Sequence, residues 1–317
     1  MRSCFRSAFA ASLLVLSAPL AAQTYPAKPV RIVVTQAPGG STDVNSRLVA
    51  ERLAPKLGQA VVVENRAGAS GIPATLSVIQ SEPDGHTILW NIVGSISPPL
   101  EEKLPFDVAR DLAGVTMTVS IAGVLLGSPA LGVKTLPEFV ALAKAKPKGI
   151  TYATGGVGSI PHLCFEKLRE AAGFEALAIP FKSPPQGIQE VMLGRVDVYS
   201  ATLVGSLPLI QSGKLIALAA PGASLRELPA LKTYSEYGYG NAACRGGQGV
   251  WVPKKTPVAV INRLNREFIQ AVAELKEKFE PMGMAPWPMK PEELDAFTAK
   301  EIADMNALAV RLGLKKQ

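Results

Sequence analysis

The hydrophobic residues of the chain follow two alternating patterns. Short β-branched runs predict strands, first in PVRIVVT and then in AVVVEN and HTILWN. Between them, helices are predicted in STDVNSRLVAERLAPKLG and GASGIPATLSVIQSE; in the first, Val49, Leu53 and Leu57 recur at four-residue spacing. Strands and helices that alternate in units of about 30 residues are typical of right-handed β-α-β crossovers and a parallel sheet.

The same alternation begins again near the middle of the chain. VTMTVSIAGVLLGS is a long, apolar, β-branched stretch, and further strands are predicted in ITYAT and ALAIPFKS. A helix is predicted in KTLPEFVALAKAKPKG, where Thr135 and Glu138 have the spacing of a capping box. Another is predicted in GGVGSIPHLCFEKLREAAG, and QGIQEVMLGRVDVYSA continues the alternation. The chain therefore holds two α/β units.

The C-terminal part adds one strand and two helices. GVWVPKK predicts the strand, which follows a turn-rich segment. The first helix has a single apolar stripe made of Ile261, Leu264, Phe268 and Val272. The second is predicted in KPEELDAFTAKEIADMNALAVRLGL.

Two α/β units followed by a returning strand predict two lobes. The chain would pass from one lobe to the other twice. We expect these crossings near residues 120–127 and 246–252. The first lobe would comprise residues 23–122 and 248–317, and the second residues 123–247. Ligands of such sheets bind at the carboxyl ends of the strands, so the cleft between the lobes is the expected binding place.

The first 22 residues have the composition of a secretory signal peptide. Arg2 and Arg6 precede an apolar stretch without any acidic residue, and small residues come before Gln23. We expect cleavage after Ala22 and export of the mature protein. No later segment has the run of about 20 apolar residues that a membrane-spanning helix needs.

The remaining composition argues against several classes of function. The formal net charge of +7 is spread along the chain without a Lys/Arg block, which argues against nucleic-acid binding. No cluster of residues has metal-ligand spacing and no glycine loop matches a nucleotide fingerprint, so neither a metal nor a cofactor is predicted. Cys164 and Cys244 remain after signal cleavage, and the sequence leaves open whether they pair.

Three loops that contain glycine precede predicted helices. In the first, Gly39 and Gly40 can adopt backbone conformations that are closed to other residues. Ser41, Thr42 and Asp43, which follow, are all of the types that cap helices. Such a helix start offers free N–H groups and the positive end of the helix dipole, which suit a carboxylate or a phosphate. GGVGSIPH and RAGASG repeat this construction, so the sequence predicts an anion site.

A hydrolase is the competing interpretation of these loops. Nucleophilic catalysis would use Ser159 and His162, with Asp43 as the orienting acid. However, a serine at a helix N-cap normally bonds the backbone, and no G-x-S-x-G elbow is present. We therefore expect a binding protein. Trp90 ends a predicted strand and belongs either to the core or to one wall of the ligand site.

Further motifs stand in a fixed order along nearly the whole mature chain. They include YPAKPVRIVV, PGGSTDVNSRLVAERL, VVVENRAGASG, SEPDGHTILW, YATGGVGSIPHL, GIQEVMLGRVDV and VPKKTPVAVINRLN. In this order and spacing, they resemble the periplasmic solute receptors of tripartite tricarboxylate transporters, also called Bug receptors.

The resemblance implies a type II-like periplasmic binding fold, in which two lobes, each a mostly parallel sheet flanked by helices, close on a small carboxylate. It implies a monomeric, periplasmic, non-enzymatic receptor that hands its ligand to membrane subunits of the transporter. One ligand carboxylate would lie between the loops Pro38–Asp43 and Gly155–Ser159, and residues Asn91–Ser95 would complete the pocket. The predicted ligand-binding residues are Pro38, Gly39, Gly40, Ser41, Thr42, Asp43, Asn91, Ser95, Gly156, Gly158, Ser159, His162, Phe181 and Thr202.

Two positions depart from the pattern that relatives commonly show. This chain has PFKS where relatives read PYKG, and it has Ala201 before Thr202 where relatives place an aspartate after VDVMF. The loss of an acid from the pocket disfavours an amino acid or a hydroxy-polycarboxylate. It favours a less polar acid, including an aromatic one with Phe181 or Trp90 against its ring.

Two questions stay open at the level of sequence. The motifs do not identify the ligand. The same pocket would also serve a periplasmic sensor that signals to a regulator, and a neighbouring transporter gene would separate the two roles.

Overall fold

The structure, a computed structural model, describes residues 25–314 except 69–70, 98–103, 147–148, 157–158, 182–183 and 204. The predicted signal peptide and its cleavage site lie outside the described residues, and so does Gly158. Within the part of the chain that is described, none of the helices combines the length and hydrophobicity that a membrane crossing requires.

Strands and helices alternate along most of the chain. The strands are β1 (Val30–Val34), β2 (Val61–Asn65), β3 (Thr87–Ile92), β4 (Leu112–Ile121), β5 (Gly123–Gly127), β6 (Ile150–Thr154), β7 (Ala176–Pro180), β8 (Val198–Thr202), β9 (Ile216–Ala219), β10 (Gly246–Pro253) and β11 (Met284–Pro286). The α-helices are α1 (Ser41–Leu57), α2 (Ile72–Ile79), α3 (Val108–Asp111), α4 (Leu136–Ala145), α5 (Ile160–Ala172), α6 (Pro184–Met192), α7 (Leu207–Gln211), α8 (Val258–Glu274), α9 (Lys276–Phe279) and α10 (Pro291–Arg311).

The described strands form two sheets, and the predicted two-lobed α/β class is confirmed. The first sheet has the order β11-β4-β10-β3-β1-β2 and the second the order β7-β6-β8-β5-β9. Both are mixed: β2-β1-β3 and β7-β6-β8 pair in parallel, whereas β10, β4, β11, β5 and β9 add antiparallel pairs. The antiparallel part contains the strands that carry the chain between the lobes, and this part was not expected from the β-α-β pattern.

Each lobe has its own hydrophobic core. In the first lobe, the predicted stripe of α8 is buried against the first sheet and α1; its members are Ile261, Leu264, Phe268 and Val272. In the second lobe, Phe139, Tyr152 and Phe165 fill the space between the sheet and α4 and α5. The predicted capping box of α4 forms only in part: Thr135 Oγ1 accepts from the Glu138 N–H, but Glu138 Oε2 accepts from the N–H of Lys134, one residue before the N-cap.

The first connection between the lobes is a single residue, Ala122. β4 ends at Ile121 in the first sheet and β5 begins at Gly123 in the second. The Ala122 N–H donates to the Gly283 carbonyl (2.8 Å), in the first lobe, and its carbonyl accepts from the Leu203 N–H (2.9 Å), in the second. This connection falls inside the predicted range 120–127. The lobe boundaries themselves stay a prediction.

The last helix, α10, contacts both lobes, which the sequence analysis did not anticipate. Near its start, Asp295 Oδ1 accepts from the Gly114 N–H of β4 (2.7 Å). Near its end, Leu308 packs against Leu163 of α5, and Arg311 forms a bidentate ion pair with Glu170 of α5. The helix therefore joins the lobes by side-chain contacts, in addition to the backbone connections.

Candidate functional site

The first glycine loop turns the chain from β1 into α1. Gly39 has φ +82°, a conformation that favours glycine, and its N–H donates to Asp43 Oδ2 (2.9 Å). α1 begins at Ser41, after Gly40 in extended conformation. Pro38, Gly39 and Ser41 are exposed, so this loop presents its outer face to solvent.

Thr42 and Asp43 point inward and hold the loop together. Thr42 is fully buried and donates to Gln36 Oε1 (2.6 Å). The buried carboxylate of Asp43 pairs with Arg47 and accepts from the Gly39 N–H. Burial alone would raise the pKa of Asp43, but the hydrogen bonds from Arg47 and Gly39 hold that pKa below its ordinary value. Both side chains are therefore occupied in shaping the loop.

Gln248, in the middle of β10, ties this loop to the returning strand. Its Oε1 accepts from Trp90 Nε1 (2.9 Å) and from Asn45 Nδ2 (3.1 Å), and its Nε2 donates to Ser41 Oγ (3.4 Å). Trp90 itself is fully buried and packs against Phe268, so it belongs to the core and not to the ligand site. Gln248 was not among the predicted site residues, although a glutamine within an apolar strand signals a buried polar contact.

Residues 91–95 comprise the end of β3 and the short turn that leads toward the second lobe. Asn91 is buried, and its Oδ1 accepts from Thr35 Oγ1 and from the Ile92 N–H, both at 2.8 Å. Ser95 ends a 3-10 turn that begins at Val93. A Cβ on Gly94 would lie 3.4 Å from Ile160 Cδ1, so this turn lies against the start of α5.

Ser159 is the N-cap of α5, as its position after the glycine loop predicts. Its Oγ accepts from the His162 N–H (3.4 Å) and lies 3.0 Å from Thr154 Oγ1. Gly156, at φ +113°, makes the turn before it, and its carbonyl accepts from the Ser159 N–H (3.2 Å). The structure thus places Ser159 and Gly156 at the carboxyl end of β6.

The side chain of His162 lies apart from the cleft. It is buried and stacks on Tyr152, with ring centroids 6.0 Å apart, and it lines a separate surface cavity with Glu166 and Arg169. Burial lowers the pKa of His162, against the effect of the nearby Glu166 carboxylate. Ser159 contacts the backbone N–H of His162, and Asp43 pairs with Arg47 in the other lobe. The three residues of the hydrolase interpretation therefore do not form a triad.

A cavity of about 220 Å³ lies between the lobes. Ile92 comes from the end of β3, Ile121 from the end of β4, and Ile160 from the start of α5. No charged side chain is among the residues described as lining it. The lining residues are Ile92, Ile121, Ala122, Gly123, Ile160, Pro161, Cys164, Pro184, Tyr199, Ser200, Ala201, Thr202, Pro221, Cys244 and Gly246.

The aromatic residue of this cavity is Tyr199 of β8. It is 3% exposed, and burial raises the pKa of its hydroxyl. Phe181, which we expected in this role, packs into the second-lobe core and is not part of the lining. Both rings approach Gly187 of α6, where a Cβ would lie 3.4 Å from Tyr199 and 3.6 Å from Phe181. Thr202 and Ala201 line the cavity as the sequence suggested.

The two cysteines within the described residues are joined in a disulfide. Cys164 lies in the first turns of α5 and Cys244 two residues before β10, with Cα atoms 5.6 Å apart and a sequence separation of 80. Both contribute to the cavity wall. The bond answers the question that the sequence left open, and it fixes the start of α5 to the returning segment.

Comparison with known proteins gives consistent results. Residues 45–314 match the family described as "Tripartite tricarboxylate transporter family receptor". Protein BugT of Bordetella pertussis is 33% identical over 309 residues, which cover 95% of this chain and 94% of BugT. The structure of the periplasmic binding protein BugD has a TM-score of 0.73 at 29% identity, covering 92% of this chain and 100% of that one. Rpa4515 of R. palustris, solved with adipate, has a TM-score of 0.73 at 26% identity, covering 91% and 98%.

Proposed function

The chain belongs to the receptor family of tripartite tricarboxylate transporters, and from this premise we propose that it captures one small, weakly polar carboxylate between its lobes and delivers it to such a transporter. The observation that carries the proposal is the cavity of about 220 Å³ with walls from both lobes and no charged side chain among its described lining residues. It is smaller than the pockets of about 300–1,000 Å³ that hold drug-sized molecules, which favours a small ligand.

Two helix starts support a carboxylate at this place. Ile160 and Pro161 open α5, Pro184 opens α6, and all three line the cavity. The N-terminal end of a helix carries partial positive charge, which stabilises an anion. The prolines at both starts have no N–H to donate, so the N–H of Ile160 and the dipoles of the two helices would hold the anion. The Gly155–Ser159 loop belongs to the first of these starts. We propose that Ser159 and the neighbouring backbone N–H groups bind the carboxylate, with Ser41 of the exposed first loop completing the clamp when the lobes close.

The rest of the cavity favours an apolar ligand body. Ile92, Ile121 and Ile160 approach from three different elements, and Tyr199 adds an aromatic face. At Ala201, an acid that would accept from a ligand ammonium or hydroxyl group is missing. A second carboxylate, as in the adipate seen in Rpa4515, would find no charged partner in the described lining. We therefore propose a monocarboxylate with a short aliphatic or aromatic body.

Lobe closure is the working step of the proposed function. A ligand that contacts Ile92 in one lobe and Ile160 in the other gains more contacts when the lobes approach. It therefore shifts the population toward the closed state, which the membrane subunits would recognise. The same step would serve a sensor. A transport assay separates the two roles: a transport receptor makes uptake of the acid, by vesicles that hold the membrane subunits, depend on added receptor.

Thermal unfolding of the purified mature protein tests the ligand class. The protein is first unfolded and refolded to remove any acid carried from the cells. Benzoate, phenylacetate and hexanoate are then compared with adipate, citrate and glutamate. A true ligand at about 100 times its Kd adds about 2.7 kcal/mol to the free energy of unfolding. A shift of the midpoint by citrate or glutamate alone would overturn the weakly polar class, and no shift with any acid would overturn carboxylate binding.

A further inference from the structure

The connection between the lobes separates the ligand cavity from a second cavity of about 200 Å³, here called the rear pocket. Ile121, Ala122, Gly123 and Cys244 line both cavities. The rest of the rear pocket comes from the two lobes. Its other lining residues are Ser120, Gly222, Ala223, Ser224, Leu225, Arg226, Glu227, Arg245, Glu280, Gly283, Met284 and Ala285.

Arg245 lines the rear pocket. The next residue, Gly246, lines the ligand cavity on the other side, and Cys244 lines both cavities. The guanidinium carbon of Arg245 lies 3.9 Å from the ring centroid of Trp287. Trp287 in turn lies across Gly247, where a Cβ would come within 2.7 Å of the indole. The glycine thus makes room for the aromatic ring over which the guanidinium lies.

Arg245 has no acidic partner among the residues that the structure describes. The other arginine of the rear pocket, Arg226, forms an ion pair with Glu280. Glu227 also lines the pocket but makes no ion pair with Arg245. Burial lowers the pKa of Arg245, and no nearby acid offsets that effect. A guanidinium that is partly removed from water and lies over an aromatic ring can still donate its N–H groups to the two oxygens of a carboxylate.

We propose that the rear pocket is a second binding site, which takes a small monocarboxylate on the N–H edge of Arg245. Leu225, Met284 and Ala285 give the walls an apolar character that suits the hydrocarbon part of such an acid better than it suits a fully hydrated phosphate. Leu225 follows the second sheet and Met284 belongs to the first. An occupant therefore contacts both lobes behind the connection, and it stabilises one particular angle between them.

The test observes Arg245 directly. The side-chain Nε–H resonances of arginine are recorded by NMR while propionate is added at constant ionic strength, and Arg245→Gln identifies the Arg245 signal by its loss. The proposal expects a saturable shift of that signal with half-saturation below about 10 mM. Inorganic phosphate, titrated in the same way, is expected to give a smaller and non-saturating shift. Arg226→Gln, in the same pocket, should leave the propionate response unchanged.

The outcomes separate this site from the cavity between the lobes. An Arg245 signal that does not move with propionate, or moves without saturation, overturns the proposal. Equal saturation by phosphate overturns the carboxylate class and leaves a general anion site. Loss of the response in Arg226→Gln would assign the binding to Arg226 instead. Because propionate also belongs to the class proposed for the ligand cavity, the titration is repeated with Ala201→Asp, which places a carboxylate in that cavity. The Arg245 response should persist in this variant, and its loss there would assign the binding to the ligand cavity.

Discussion

Cys164 and Cys244 are joined in a disulfide that fixes the start of α5 to the segment that returns to the first lobe. The bond closes a loop with a sequence separation of 80 residues. In the chain-entropy treatment, a loop of this length contributes about 4 kcal/mol of stability by restricting the unfolded chain. We expect reduction, or the double change Cys164→Ser and Cys244→Ser, to lower the free energy of unfolding by up to this amount.

Urea unfolding of the oxidised, reduced and doubly substituted proteins measures this effect. The reduced wild type and the double variant should agree, because each lacks the same bond. Unchanged stability after reduction would show that the disulfide does not restrict the unfolded chain as described.

Ser159→Ala should reduce both stability and carboxylate affinity. Loss of an N-cap side chain costs about 1 kcal/mol, and loss of a hydroxyl near the ligand carboxylate should weaken binding about 5- to 100-fold. Thr135→Ala is the matched control, because Thr135 caps α4 through the same kind of bond at the same 3.4 Å distance. Calorimetry should find equal losses of stability in the two variants and loss of affinity only in Ser159→Ala. Equal affinity in both would remove Ser159 from the site.

Ala201→Asp should exclude an apolar acid from the cavity. Ala201 is buried, so the new carboxylate would be largely removed from water, in a lining without a described cation and next to a ligand of the same charge. We expect binding of the best acid to weaken at least about tenfold at neutral pH and to recover partly at low pH, as the new carboxyl becomes protonated. Ala201→Asn, of nearly the same size, is the control. If both variants bind equally well, charge at this position does not select the ligand.

Asp43 makes stability depend on acid pH. Because the pKa of Asp43 is lower in the folded protein than in the unfolded chain, its ionised form stabilises the fold. That contribution is fully present above the unfolded pKa of about 3.9, and it is lost as the pH falls through the lower, folded pKa. We expect Asp43→Asn to cost about 1.5–3 kcal/mol at pH 7 and the difference from wild type to shrink below about pH 4.

Urea midpoints from pH 3 to pH 7 measure this difference. Glu190→Gln serves as the control, since Glu190 pairs with Arg195 at the surface, where such pairs contribute little to stability. A difference between wild type and Asp43→Asn that stays constant across this pH range would contradict the assignment to the carboxylate.

α10 should hold the second lobe by apolar packing more than by charge. Leu308 is fully buried beside Leu163, so Leu308→Ala is expected to cost about 2–5 kcal/mol. Arg311 and Glu170 are each about half exposed, so Arg311→Ala should cost about 1 kcal/mol or less. Thermal unfolding of the two variants makes the comparison. The reverse order of effects would mean that the ion pair is the main link.

Much of the fold follows from local patterns in the sequence. The spacing of Ile261, Leu264, Phe268 and Val272 identifies the buried face of α8, and the β-branched run at Val30–Val34 identifies a central strand. The run from Leu112 to Gly127 gives no such guidance, because both of its strands are buried on both faces. Which part of this run joins which sheet depends on the strands that pair with it, and those strands are far away in the sequence.

The candidate site shows the same limit. The N-cap role of Ser159 is a local property, and the glycine loop before it predicts that role. The direction in which a buried side chain points is not determined by its neighbours in the sequence. Trp90 packs against Phe268, His162 stacks on Tyr152, and Tyr199 lines the cavity. These contacts depend on packing that no short motif encodes.

The order of strands in the first sheet has a consequence for how the chain folds from its N-terminus onward. The second sheet uses one uninterrupted stretch, from Gly123 to Ala219, so all its strands are available once the growing chain includes Ala219. In the first sheet, β10 lies between β3 and β4, so both strands keep an unpaired edge until Gly246–Pro253 is available. Unpaired edges of this kind attract other strands. A chain that folds in this order therefore passes through a stage with one complete sheet and one open sheet, in which protection from aggregation matters most.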